Sequence, residues 1–320
     1  MMMSGRVWIV IAAAVVASFV IPHFLPPGLS DFATRLSTLI LVAVSWNMMA
    51  NAGLISLGHS GFWGLGAYSA ALCANAVHMP FWLTIIPAML LGAAFGAFLA
   101  YITGRLRGLF FAISTLAMSE ALRVVALMVP KLTGGAEGLF VYDAIRPDRV
   151  TMTTFALVLS VATIAASYFL AKSRYQYGLR AMRDSESAVQ MLGVNPARFR
   201  VGVTALSGAI ASCAGVISAW YTGYLDPGAA FDLKVTISAQ IAPLFGGLYT
   251  VAGPVIGSFA ILVLSEVTRL YFGYNAGVGL LVYGCILVFG VLFMPTGLVG
   301  ISRQWLGRFR KRRQLAGAPS

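Results

Sequence analysis

Chemistry in this sequence is confined to a few polar residues set inside apolar runs and to one charged segment between two such runs. Glu120 and Arg123 stand near the middle of the run Leu109–Val129, spaced i,i+3 and therefore on one face of a helix. A charge in a nonpolar medium is costly, so the two either pair with each other, line a polar path, or take part in proton transfer. The pattern recurs as Ser265-Glu266-x-x-Arg269, against Ser119-Glu120-x-x-Arg123. Asn47, Asn51, Ser56, His59 and Ser60 gather around a glycine cluster, where the lone His59 suits a hydrogen-bonded structural position better than a ligand. No Ser/His/Asp set, phosphate-cradling G-x-x-x-x-G-K-[ST] or H-E-x-x-H occurs, so no catalytic residue, nucleotide site or cofactor is expected. Cys73, Cys213 and Cys285 lie in separate apolar runs without C-x-x-C spacing, which supports neither a disulfide framework nor a metal site.

The charged segment runs Ser173-Arg-Tyr-Gln-Tyr-Gly-Leu-Arg-Ala-Met-Arg-Asp-Ser-Glu-Ser-Ala-Val-Gln-Met-Leu-Gly-Val-Asn-Pro196. It reads as a short amphipathic helix: Asp184 or Ser185 caps its start, Glu186 sits favourably in the first turn, and Gly193 ends it before Pro196. Ala188, Val189, Met191 and Leu192 form an apolar face too small to be stable alone in water. Such a helix fits a groove on a partner; the bland alternative is a solvated or membrane-lying loop helix.

The elements around these residues follow from composition. Of 320 residues 59% are hydrophobic and 10% charged, with mean hydropathy +0.85. Soluble domains are near a quarter charged, and a water-soluble globule of this length could not cover so much apolar surface. Soluble enzymes, disordered chains and nucleic-acid binders are thereby excluded, despite a net charge of +12. The expected class is an all-α, polytopic membrane bundle of about ten helices, a span needing ~20 mostly apolar residues. Candidates lie near Val7–Leu25, Leu36–Asn51, Gly58–Val77, Phe81–Thr103, Leu109–Val129, Met152–Ala171, Val201–Tyr221, Val235–Phe245, Val251–Leu270 and Gly279–Met294. The first has no A-x-A cleavage site before a polar segment and reads as a retained helix. The eighth is short, ends in Gly246-Gly247 and reads as a half-helix or re-entrant segment.

Charge sets orientation. Arg105 and Arg107, the six basic residues of Lys172–Arg200 and the six of Arg303–Arg313 belong on the cytoplasmic side. The balanced stretch Lys131–Arg149 and the acidic Asp226–Lys234 belong outside. Ten helices satisfy all five placements with both termini inside. The basic tail then reads as a cytoplasmic stop signal touching anionic lipid, not as a nucleic-acid patch.

Of thirty-four glycines nine cluster at Gly53–Gly66 and Gly246–Gly257, and Gly92-x-x-x-Gly96 and Gly253-x-x-x-Gly257 fit close helix packing. Breaks around Asn51–Ser60 and Gly246–Gly253 could line a path, as interrupted helices do in transporters. Five spans on either side of the external loop would invert the halves, although the two Ser-Glu-x-x-Arg helices then run the same way.

The charged segment resembles the cytoplasmic coupling loop of ABC-importer permeases, with matches at Tyr177, Gly178, Leu179, Arg180, Ala181, Arg183, Asp184, Glu186, Ala188, Gly193 and Asn195. Asn47 through Tyr68 resembles the family's early segment, with its G-L-I-S-L-G-H-x-x-F-x-G-x-G-A-Y at Gly53–Tyr68, and Gly108–Leu116 its G-L-Y-F-A-I-x-T-L with Phe110 for Tyr. Leu132–Leu139 resembles its L-T-G-G-x-x-G-L. Phe293–Gly300 resembles its F-R-P-R-G-L-x-G with Met294 and Thr296 in place of the basic residues, leaving that role to the Arg303–Arg313 tail. The whole is similar to LivM-type permeases of branched-chain amino acid ABC transporters. The resemblance implies a fold similar to the vitamin B12 permease class, in one permease domain over 1–320 with a coupling loop at 172–200, an external loop at 130–150 and a basic tail at 301–320. It also implies a paralogous permease partner, two ABC ATPase subunits and a periplasmic binding protein contacting Thr133, Gly134, Gly135 and Glu137. Asn47, Asn51, Ser56, His59, Glu120 and Arg123 are the candidates for the translocation path. The expected cargo is branched-chain or other small hydrophobic amino acids, with urea, amides or aromatic carboxylates as the alternative within the family. A self-contained secondary transporter and a membrane enzyme are the competing classes.

Overall fold

The computed structural model describes residues 5–141, 146–191 and 195–272, together with 278, 281–282, 284–285, 288, 292 and 297–300. In chain order its helices are α1 (Gly5–Val20), α2 (Pro27–Ala50), α3 (His59–Val77), α4 (Ile85–Ile102), α5 (Gly108–Met128), α6 (Pro130–Thr133), α7 (Arg149–Lys172), α8 (Arg174–Asp184), α9 (Glu186–Met191), α10 (Pro196–Thr222), α11 (Pro227–Ala230), α12 (Leu233–Gly246) and α13 (Ala252–Phe272). Two short strands, β1 (Leu139–Phe140) and β2 (Tyr224–Leu225), pair antiparallel with Leu139 opposite Leu225. Among the described residues six helices are long and apolar enough to cross a membrane: α2, α5, α7, α10, α13 and the stretch Phe81–Ile102 that contains α4. Helices also occupy the first, third and eighth stretches read from the sequence, while the tenth, Gly279–Met294, lies largely outside the described residues, as does the Arg303–Arg313 tail.

By its internal contacts the chain divides into two compact units, Met1–Ala239 and Gln240–Ser320. In the first, α10 is the central post, packed against α2, α3 and α4. Asn195 starts it by accepting a hydrogen bond from the Ala197 amide at 3.0 Å, Pro196 occupies the first helical position, and Gly223 (φ 72°) ends it in the left-handed conformation. Lipid gives helices no hydrophobic reason to associate, so close backbone approach must supply the attraction. A Cβ on Gly66 would strike the Ser212 backbone, one on Gly92 the Gly208 carbonyl, one on Gly96 the Thr204 carbonyl, and one on Gly215 the Trp63 carbonyl. Trp220 and Phe62 fill the remaining interior. The outward faces carry Trp8, Ile9, Phe24, Leu90, Phe98, Leu109 and Phe110, the side chains a bundle turns to lipid.

The second unit contains a helical hairpin. The end of α12 meets the start of α13 at Gly246, Gly253 and Gly257, where a Cβ on Gly257 would collide with the Ala242 carbonyl. Thr250 Oγ1 donates to the Gly247 carbonyl at 2.7 Å and accepts from the Gly253 amide at 2.9 Å, closing the connection. The break foreseen at Gly246–Gly253 is therefore present, and α12 is short, with Pro243 inside it.

Gly66→Val and Gly215→Val should each cost about 2–3 kcal/mol through overpacking. Gly28→Ala, whose Cβ meets nothing within 4 Å, should change stability by less than about 0.5 kcal/mol. Thermal unfolding of the detergent-solubilised protein measures all three.

Candidate functional site

The segment between α7 and α10 is two helices, not one. α8 ends at Asp184, the chain turns extended at Ser185 (φ −161°, ψ 104°), and α9 begins at Glu186. The single helix expected to start at Asp184 or Ser185 is thus preceded by another, whose buried face is Gln176, Leu179 and Met182. Ser185 does open α9, since its carbonyl accepts from the Val189 amide at 3.3 Å. Gly193 and the side chain of Ala188 lie outside the described residues.

Both short helices are fastened from behind. Arg200, 2% exposed, donates to the Thr103 and Leu106 carbonyls at 3.2 and 2.9 Å and to both carboxylate oxygens of Glu186 at 3.1 and 3.2 Å. Arg107 adds a second pairing to Glu186 at 2.9 Å, so α9 is clamped to the α4–α5 corner and to the first turns of α10. Both bonds to Glu186 come from the one nitrogen Nη2, a charge-assisted contact stronger than a neutral hydrogen bond. α8 is held by stacking of Tyr175 on Phe199 (4.6 Å between centroids) and by the Tyr175 hydroxyl donating to the Phe199 carbonyl at 2.8 Å. Burial raises the Tyr175 pKa, which keeps that hydroxyl a donor. Gly178 lies against the Phe199 ring, where a Cβ would not fit. Gln176 Nε2 donates to Asn51 Oδ1 at 2.9 Å, both residues being buried.

What faces outward is different. Tyr177 is 72% exposed and Met191 84% exposed, with Arg180 and Asp184 exposed beside them. Arg183 is half-buried, and its backbone lies over the Gly53 turn. Asn195 is exposed and caps α10. Of the coupling residues named from the sequence, Tyr177, Arg180 and Asp184 are therefore on the surface, whereas Gly178 and Glu186 point into the protein.

The break between α2 and α3, Asn51–Gly58, is stitched by side chains. Trp46 Nε1 donates to the Ser56 carbonyl at 2.9 Å, the Leu57 amide to Thr115 Oγ1 at 2.9 Å, and the Gly58 amide to Ser56 Oγ at 3.1 Å. Asn51 Nδ2 donates to the Asn47 carbonyl at 2.8 Å. Ser60 Oγ contacts Ser119 Oγ at 2.8 Å, Thr236 Oγ1 donates to Ser60 Oγ at 3.2 Å, and His59 Nε2 meets Ser207 Oγ at 3.2 Å. Asn47, Asn51, Ser56 and His59 are all buried within this lattice. Glu120 and Arg123 pair on α5 at 2.7 Å, with side chains 44% and 38% exposed, and Glu266 and Arg269 pair likewise on α13.

At the opposite end of α10, Thr133 is buried and donates to the Ala126 and Val129 carbonyls, and Gly135 is buried beside it. Gly134 adopts φ 76° against the Gly138 carbonyl. Glu137 is exposed, its carbonyl accepting from the Tyr224 hydroxyl at 2.8 Å. Nearby, a cleft of ≈ 360 Å³ has apolar walls of Leu39, Val42, Trp63 and Val235, with the cations Arg35 and Lys234 among its lining residues. Among the described residues no group of three or more His, Cys, Asp and Glu could hold a metal ion.

A family model described as "Branched-chain amino acid transport system / permease component" matches residues 28–291. The chain belongs to this permease family. It is 24% identical to the high-affinity branched-chain amino acid transport system permease protein LivM of Escherichia coli (strain K12), over 92% of this chain and 76% of the relative. It is 25% identical to a probable branched-chain amino acid transport permease protein LivM of Methanocaldococcus jannaschii, over 68% and 67%. The ribose import permease protein RbsC of Escherichia coli (strain K12) is also 25% identical, over 71% and 72%. No solved structure matches the chain. This permease is a multi-pass membrane protein.

Sequence reasoning missed Arg200, Arg107 and Gln176. The signal for Arg200 was its place four residues into α10, one turn beyond the cap, where the helix turns apolar and an arginine invites a carboxylate partner. Arg200→Leu should cost the permease about 3 kcal/mol, the scale for breaking a buried pair. Arg107→Ala, 62% exposed in its pairing, should cost less than about 1 kcal/mol. Protease cleavage within 174–200 in vesicles reads the difference.

Proposed function

We propose that this chain is a transmembrane permease subunit of an ATP-driven ABC importer, hydrolysis of ATP taking place in separate subunits. The observation that carries the reading is the segment 174–191: Tyr177 and Met191 present large side chains to water, while Arg200, Glu186 and Tyr175 hold the backbone beneath them. A mobile loop would lose its docking energy in ordering; a loop held this way is ready to receive a partner. The segment 172–200 docks on an ABC ATPase through Tyr177, Arg180, Asp184 and Met191, with Gly178, Arg183, Glu186 and Asn195 shaping the surface and Ala188 and Gly193 completing it.

The arrangement is one permease domain over 1–320 with about ten spanning helices, similar to the vitamin B12 permease class. The basic loop 172–200 and tail 301–320 face the cytoplasm, in line with the positive-inside rule, and both termini lie there. The loop 130–150 faces the periplasmic binding protein, with Glu137 as its contact and Thr133, Gly134 and Gly135 as its scaffold. Two ATPase subunits and a paralogous permease complete the complex. The Glu120–Arg123 pair supports a water-lined path along α5: half exposed on this chain, it would be costly against lipid. Asn47, Asn51, Ser56 and His59 set the backbone behind that path.

Relatives include ribose as well as branched-chain amino acid permeases, and the cleft chemistry favours the second class. Apolar walls with Arg35 and Lys234 beside them suit an apolar carboxylate better than a neutral polyol. Branched-chain or other small hydrophobic amino acids are the cargo.

Tyr177→Glu and Met191→Glu should each weaken ATPase binding at least about tenfold, as loss of an interface anchor does, while thermal unfolding of the isolated permease stays unchanged. Co-purification with the ATPase from membranes measures this. Undiminished co-purification, or labelling of position 177 from the outer face, would defeat the reading. Uptake of leucine into vesicles holding the full complex, competed by isoleucine and not by ribose, tests the cargo.

A further inference from the structure

Two buried polar anchors hold the α8–α9 segment, and they lead to different places. Arg200 binds Glu186 and the carbonyls of Thr103 and Leu106, all at helix ends on the same end of the bundle. Gln176 instead reaches Asn51, the first residue of the broken stretch between α2 and α3. We propose that the Asn51–Gln176 amide pair is the joint through which displacement of α8 moves the stretch Asn51–Gly58, whereas Arg200 is a fixed anchor for α9. The proposal rests on the ATPase-docking reading of 174–191 given above.

The two amides differ from a surface contact in what happens when they part. Both residues are buried, so separation leaves a donor and an acceptor without partners where water cannot replace them. Asn51 therefore follows Gln176. Asn51 is in turn bonded through Nδ2 to the Asn47 carbonyl, which carries the motion into the last turn of α2. The contact is reinforced by shape: Gly53 (φ 76°) brings its backbone so close to Arg183 that a Cβ there would sit 3.2 Å from the Arg183 Cα. α8 thus lies directly on the turn it is joined to.

The stretch itself is suited to move. Its far end is held by single side-chain bonds: Leu57 to Thr115, Gly58 to Ser56, and Ser56 to Trp46. Hydroxyl partners can be exchanged one at a time, whereas a helix yields only by opening a continuous ladder. Beyond it lie His59, Ser60, Ser119 and Thr236, which tie the start of α3 to α5, α10 and α12. A small shift at Asn51 is thereby delivered to the spanning helices α5 and α10 and to the short α12. Gln176 and Asn51 are positioning residues; neither is assigned a contact with cargo or nucleotide.

The test uses the full permease–ATPase complex in nanodiscs, with Cys73→Ser, Cys213→Ser and Cys285→Ser, and Ile55→Cys as reporter at a half-exposed position within the stretch. Trapping the ATPase with ATP and vanadate should change the thiol-labelling rate at position 55 by at least about fivefold, the low end of coupling between linked sites. Gln176→Leu should abolish that change while the ATPase stays bound and hydrolyses ATP. The exchanged pair Asn51→Gln with Gln176→Asn keeps the combined side-chain length and the hydrogen bond, and should restore it. Unchanged trapping-dependent labelling in Gln176→Leu overturns the joint, as does failure of the exchanged pair to respond. So does a reporter that is insensitive to trapping when Asn51 and Gln176 are both intact. If Gln176→Leu does not fold, the exchanged pair decides. If the unaltered permease binds no ATPase, the docking reading itself falls, an outcome distinct from loss of the joint alone.

Discussion

A chain that leaves helical hydrogen bonding in a buried place must supply replacement partners from its own side chains, because no water reaches the freed groups. That constraint governs the break between α2 and α3 of this permease. At Asn51–Gly58 the ladder of α2 stops and that of α3 has not begun, and the exposed amides and carbonyls are met by Ser56, Thr115 and Trp46. The polar residues in the apolar runs are mostly accounted for in this way. His59, Ser60, Ser119, Ser207 and Thr236 form a lattice across helices that lie up to 176 residues apart in sequence. The break persists because these partners are in place, and the lattice is possible because α10 brings α2, α3 and α4 close enough for short hydroxyl side chains to reach.

That closeness has its own cause. Where the surrounding solvent is as apolar as leucine, helices gain nothing by burying leucine against each other, and they gain by backbone contact. Gly66, Gly92, Gly96 and Gly215 clear the surface of α3, α4 and α10 for this purpose, and Gly246, Gly253 and Gly257 do the same for the α12–α13 hairpin. Bulk is moved elsewhere, inward to Trp220 and Phe62 and outward to the lipid-facing aromatics.

Charge is used sparingly and in pairs. Glu120–Arg123 and Glu266–Arg269 close on their own helices, so each guanidinium has its acceptor already in place. The Arg200–Glu186–Arg107 group joins three parts of the chain at the α8–α9 end. A single carboxylate shared by two guanidiniums fixes α9 more firmly than either pairing alone, and it leaves the apolar side chains of Tyr177 and Met191 to face outward.

Much of this is local and therefore legible in the sequence. The all-helical membrane class, the breaks at Asn51–Ser60 and Gly246–Gly253 and the i,i+3 ion pairs depend on composition or on spacing within one helix. Family membership follows from motifs that are themselves contiguous. The division of the charged segment into α8 and α9 was not legible, because the helix before Ser185 is held by Phe199 and Asn51, remote partners that no local pattern shows. Nor was the inward turn of Glu186. Its motif position suggests a surface contact, and only the return of α10 beside α9 puts Arg200 opposite it. The sequence by itself determined where the long apolar helices run and which of their positions carry charge, since those are properties of a residue and its near neighbours. Tertiary structure alone decided which polar groups meet, because a hydrogen bond between residues 51 and 176 exists only once α2 and α8 have been brought to the same end of the bundle.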